Sequence, residues 1–205
     1  QNIYPLIPIL ERSEFENDLK RILQWDKATG ELIEVRATKT YDYALLATFL
    51  IIIRFSYVTI VAKLQPFEED KMILNKYPIS VDFISLTYSC LSNYRFLRRT
   101  KFKVLQALVF LRHYLLFAPE DGDGVDMAQS QILYSMIVQS AYTIALNRDP
   151  TSFPELAQDN RKVQLYRKMW YAIVTLDRKI STITGIPCII QNSENLCNTK
   201  APDPN

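Results

Sequence analysis

Glycine is scarce in this chain. Four occur in 205 residues, at positions 30, 122, 124 and 185, about 2% against a usual ~7%. None stands in GxGxxG or GxxxxGK(S/T), so neither glycine-rich phosphate cradle is present. Histidine is scarcer still: His113 is single, which excludes HExxH and any site built on two histidines. The three cysteines, Cys90, Cys188 and Cys197, never form CxxC; so few, and odd in number, they fit a reducing compartment and give no zinc framework. Charge of one sign is also lacking. The formal net charge is +2, no global case for nucleic acid or an anionic membrane as partner.

What is present is apolar. Hydrophobic residues make up 48% and charged residues 22%, too apolar for disorder and ordinary for a globular chain of one domain, or one with an extension. The chain opens on Gln1, as expected of a piece of a longer protein. Residues 1–9 read as an irregular lead-in, and Glu11 to Gln24 as a short amphipathic helix with Phe15, Leu19, Ile22 and Leu23 on one side. Residues 26–30 make a turn, and the stretch to about Thr40 carries no clear period. Principal helices are expected over 43–64, 102–117, 126–146 and 159–184, with a further one near 80–95.

The 43–64 run is long enough to span a bilayer. Arg54 interrupts it near the middle, where inserting a charge costs about 2.5–3.5 kcal/mol, so a buried core helix is the reading preferred. The 102–117 helix is apolar on most sides and should be central; His113 on it reads as a packed side chain. In the last helix Leu165, Met169, Ile173, Leu176, Ile180 and Ile183 recur at steps of three and four, one apolar stripe. Asp159 or Asn160 caps its start; Gly185 and then Pro187 stop it, Gly185 in the left-handed conformation. Asp177, on the same helix, is expected to meet a partner from another segment, Arg148 first.

Three stretches invite functional readings. Arg95, Arg98, Arg99, Lys101 and Lys103 put five basic residues in nine positions; a phosphate-contacting patch is weighed against a solvated connection, which is favoured because no DNA-reading motif surrounds it. The loop PEDGDG at 119–124 fails the calcium pattern, since position 12 from Asp121 is Ile132 and position 6 is Asp126; its carboxylates are expected to favour the next helix N-terminus. Tyr166, Trp170 and Tyr171 are candidates to line a ligand pocket, although such aromatics are more often core. No catalytic constellation is visible, and the chain is read as not an enzyme.

Several short motifs in fixed order carry a resemblance. Leu105-Gln106-Ala107-Leu108 begins a helix; the next closes with Ala145-Leu146-Asn147-Arg148-Asp149-Pro150; Arg167-Lys168-Met169-Trp170-Tyr171 leads into Leu176-Asp177-Arg178, with Gly185-Ile186-Pro187 beyond. Over about 43–205 this set resembles the middle regulatory region of fungal zinc-cluster transcription factors. The family pattern is Gly-Leu-His-Arg-Asp, Arg-Arg-x-(Trp/Phe)-Trp, Leu-Asp-Arg and Gly-Arg-Pro. Asn147, Tyr171 and Ile186 depart from it, in the manner of the haem- and fatty-acid-responsive yeast activators.

The resemblance implies an all-α, multi-helix domain with antiparallel helix packing, residues 1–42 being a lead-in with one short helix and 43–205 the regulatory region. It implies a nuclear protein that controls an attached DNA-binding module, in some members through a small apolar ligand. DNA would be reached only through that module, whose zinc lies outside these residues. No cofactor is expected in this stretch. Transcriptional co-regulators are the implied partners, no membrane is, and a homodimer is left open. Arg148, Asp149, Arg167, Trp170, Asp177, Arg178, Gly185 and Pro187 are the motif residues, expected to be structural. A helical scaffold bound to chromatin is the alternative function.

Overall fold

The structure is a computed structural model that describes residues 7–26, 28–63, 65–94, 100–118, 121, 128–191 and 197–203. Residues 1–6 of the lead-in, Arg95, Arg98 and Arg99 of the basic patch, the 119–124 loop except Asp121, residues 126–127 of the predicted third long helix, and Pro204 lie outside the described residues. The elements are α1 (Arg12–Ile22), β1 (Leu23–Trp25), β2 (Leu32–Val35), α2 (Asp42–Val61), α3 (Glu68–Lys76), α4 (Asp82–Tyr94), α5 (Phe102–Phe117), α6 (Ala128–Thr143), α7 (Pro154–Ala157) and α8 (Asn160–Thr184). The fold is all-α, helix packed on helix.

Two elements escape the periodicity argument. β1 and β2 form a small antiparallel hairpin, Leu23 opposite Val35 and Trp25 opposite Leu32, with an irregularity between Gln24 and Trp25. It takes Leu23 out of the expected first helix. α3 was hidden in a mixed, acidic stretch; Glu68, Glu69 and Asp70 in its first turn favour the helix dipole, and none of its residues is buried.

α5 is the central element, as its composition requires. Every residue from Val104 to Arg112 is buried, with Tyr114 and Leu115 beyond. α2 and α6 pack against it, α4 packs against α2, and Met169, Trp170, Ile173, Leu176 and Ile180 of α8 join the same core. The apolar stripe of α8 ends earlier than expected, for Ile183 is 62% exposed. Ile7 and Ile9 from the lead-in are also in that core, and Gln106 donates to the Ile9 carbonyl at 2.6 Å.

α2 is long and apolar enough to cross a membrane by length and composition; here it lies against α4 and α5. Its mid-run charge has a partner. Arg54 pairs with Asp121 at 2.5 Å and donates to the Ile79 carbonyl at 2.6 Å, and the Tyr114 hydroxyl bonds the same carboxylate. Asp121, expected to serve the next helix N-terminus, therefore closes onto α2, because a half-buried guanidinium is the stronger partner. At the other end Asp42 is fully buried and held by Arg21 at 2.6 and 3.1 Å and by the Thr38 and Lys39 amides. That group ties α1 to α2.

Lys103 of the basic patch is likewise occupied, bridging Glu14 at 2.6 Å and Asp18 at 3.2 Å on α1. It is a fastening between helices.

Candidate functional site

α6 does not run to residue 146. It stops at Thr143 in a Schellman motif: the Leu146 amide reaches back to the Ala141 carbonyl at 2.9 Å and the Ala145 amide to Tyr142 at 3.0 Å. Such a motif needs a left-handed residue, and Ala145 adopts φ +57°. This is the position where the family pattern places glycine. The early stop releases Leu146 to Asp149 to bridge α6 and α8.

Asp149 is the hub of the bridge. Its carboxylate pairs with Arg167 through two bonds, 2.9 and 3.0 Å, both side chains buried. It also accepts from the Thr151 amide and hydroxyl, at 3.1 and 2.6 Å, and from the Lys200 amide at 2.9 Å. Burial works to raise its pKa, but Arg167 and the other donors outweigh that and hold it well below the usual carboxylate range. Asp-Pro-Thr is a turn signature in its own right, the carboxylate binding the amide two residues on.

The segment after α8 is strapped back over this bridge. Asn198 donates its amide to the Asn147 carbonyl and accepts from the Asp149 amide, each at 3.0 Å. Thr199 donates its hydroxyl to the Leu146 carbonyl at 2.7 Å, and the Asp203 amide meets the Gln164 side chain at 2.8 Å. Gly185 caps α8 at φ +72°, its amide on the Ser181 carbonyl at 2.9 Å. Beyond it Asp177, buried, accepts the Ile189 and Ile190 amides at 3.2 and 2.8 Å. Its partner does come from another segment, but it is backbone rather than the expected Arg148, which lies exposed on the bridge. Burial, with Asp177 nearby, pushes the Tyr134 phenol far up.

Beside the hub lies an open cavity of about 570 Å³, lined by Ile144, Ala145, Arg148, Pro150, Phe153 and Tyr166, with α7 forming part of its wall. That is the size of a small-molecule site. Tyr166 stacks on Phe102, ring centres 4.2 Å apart. The other two aromatic candidates go elsewhere. Trp170 is buried, edge-on to Tyr142, and Tyr171, a residue further round α8, borders a second cavity with His113. Of the motif residues, Asp149 and Arg167 meet at the hub, Arg148 lines the cavity beside it and Trp170 lies in the core. Asp177, Gly185 and Pro187 serve the other end of α8, and Arg178 is exposed. Ala145, Thr151, Asn198 and Thr199 were not foreseen from sequence; only Thr151, in its Asp-Pro-Thr turn, carried a readable signal.

Among the described residues no three Cys, His, Asp or Glu side chains are grouped to hold a metal. The Cys90 thiol is pushed up by burial, away from the reactive thiolate.

A profile described as the fungal specific transcription factor domain matches residues 1–204. Multidrug resistance regulator 1 of Candida albicans is 32% identical over 98% of this chain and 19% of its own length. Oleate-activated transcription factor 1 of Saccharomyces cerevisiae is 28% identical over 85% of the chain and 18% of its own. Multidrug resistance regulator 2 of Candida albicans is 24% identical over 98% and 26%. The chain thus spans about a fifth to a quarter of the length of these relatives. No solved structure matches. With that profile running from the lead-in through the hub to the strap, the chain belongs to the fungal specific transcription factor domain family.

Proposed function

We propose that this domain regulates a zinc-cluster DNA-binding module in the same nuclear polypeptide, and that the 570 Å³ cavity takes a small apolar effector. One observation carries the reading: the cavity and the strap share a turn. Ala145, Arg148 and Pro150 line the cavity, while Leu146, Asn147 and Asp149 between them hold residues 198–200. An occupant that shifts this turn shifts the strap, so binding is converted into a change at a surface that co-regulators or the linked module can read. The chain itself contacts DNA weakly and in a salt-sensitive way, since Lys103 is already paired.

The names of the oleate-activated relatives make oleate the first probe. Fused to an unrelated DNA-binding domain, the chain should change reporter output when oleate or another apolar effector is supplied. Leu156→Trp, which fills the cavity, should abolish the response while leaving the domain folded. A fusion inert under every condition would favour the scaffold reading.

A further inference from the structure

The second cavity, about 250 Å³, lies between α5 and α8 with Pro8 and Pro202 at its rim. Lys168, Tyr171, Thr175 and Lys179 line it from α8 at steps of three, four and four, one face of the helix. α5 adds His113. Its polar side chains can all donate, the rest of the lining being Pro8, Ala172, Leu176 and Pro202, and none of the described residues around it is a carboxylate. Lys168 is engaged in an interaction of its own, and Lys179 and His113 supply the cationic charge for a ligand.

The imidazole is already oriented. His113 Nδ1 lies 2.8 Å from the Val109 carbonyl, and a carbonyl only accepts, so Nδ1 is the protonated nitrogen. Nε2 is then the free one, a lone pair when the ring is neutral and a donor when a second proton arrives. The cavity holds the volume of about eight waters at ~30 Å³ each, room for a phosphate or a short carboxylate.

We propose that this cavity binds a small oxyanion, carboxylate or phosphate, between the Lys179 ammonium and the His113 imidazole, with a proton taken from solvent onto Nε2. An ammonium and an imidazolium lining one cavity, where no described residue is a carboxylate, form a charge-assisted donor set for an anion. Without an anion, burial above all, then Lys179 and Arg112, lowers the His113 pKa from its ordinary 6.5, offset in part by the Val109 carbonyl. The other described titratable groups lining the cavity are Lys168 and Tyr171 from α8; the described residues of the segments carrying Pro8 and Pro202 bring no titratable side chain to it. Asp203, next along, is held at Gln164. An anion cancels the opposition of the cations, so binding strengthens as pH falls through the histidine range.

The single histidine makes the test direct. The His113 Cε1–H resonance of the 205-residue chain is titrated with pH in sodium phosphate, in sodium acetate, and in sodium chloride at matched ionic strength. A saturable rise of the His113 pKa in phosphate, in acetate or in both supports the site and identifies which oxyanion it takes. Equal curves in all three salts overturn it. Lys179→Gln, at an exposed position, should weaken the effect about tenfold, the loss of one charge-assisted bond. A Gln variant that binds as the native chain does would also overturn it. The measurement on the unaltered chain decides however the variant folds.

Discussion

Asp149 joins three stretches that sequence separates: the end of α6, the start of α8 and residues 197–203. Burying a carboxylate is costly unless it is paired and every acceptor site is used, and Asp149 meets both conditions with Arg167, Thr151 and Lys200. Asp149→Ala should therefore destabilise by about 3–5 kcal/mol, because it strands a buried guanidinium. Urea unfolding of the two single variants and of the Asp149→Ala/Arg167→Leu double should give a double loss smaller than the sum. Additivity would mean the pair does not interact. Asp177 solves the same problem through two backbone amides of the strap.

Two helix ends contrast at the scale of the element. α6 and α8 both stop through a left-handed residue, Ala145 and Gly185. For an L side chain that conformation costs about 1–2 kcal/mol, for glycine nothing. Ala145→Gly should stabilise by about 0.5–1 kcal/mol, part of the relief being lost to the freer unfolded chain. Gly185→Ala should cost about 1 kcal/mol, a backbone effect alone, because an added Cβ meets nothing within 4 Å. Thermal melts of the two variants should move in opposite directions; a stabilised Gly185→Ala would show that α8 ends by another geometry.

Across the whole molecule, buried ionisable groups set how stability follows pH. Asp149 and Asp42 titrate below the ordinary carboxylate value of 3.8. Their contribution is present above that value and disappears as pH falls through their folded pKa values. His113 is also depressed, from 6.5, so the fold prefers it neutral, and the loss begins as pH drops through 6.5. In chloride, stability should decline in two phases: a shallow one below pH 6.5 and a steep one below 3.8. His113→Gln should remove the first and leave the second. Equilibrium unfolding followed from pH 8 down to about pH 1.5 checks this, and a shallow phase that survives the substitution would assign it to another group.

The long helices were legible because their signals are local. The α8 stripe, its Asp159 cap and the Gly185-Pro187 stop lie in one continuous stretch, and α5 announces its central place by being apolar on most sides. The all-α class and the family followed from such stretches. Contacts across sequence were not legible. Arg54 read as a flaw in an apolar run until Asp121, 67 positions away, reached it; Asp177 called for a partner without specifying amides over a charge. Tyr166, Trp170 and Tyr171 are neighbours in sequence, yet a turn of 100° per residue sends them to a cavity wall, the core and a second cavity. Helix formation is decided by neighbours three and four residues apart, which the sequence spells out. Which buried charge meets which donor is decided by packing, and only the tertiary structure brought Asp149, Arg167 and Lys200 to one point.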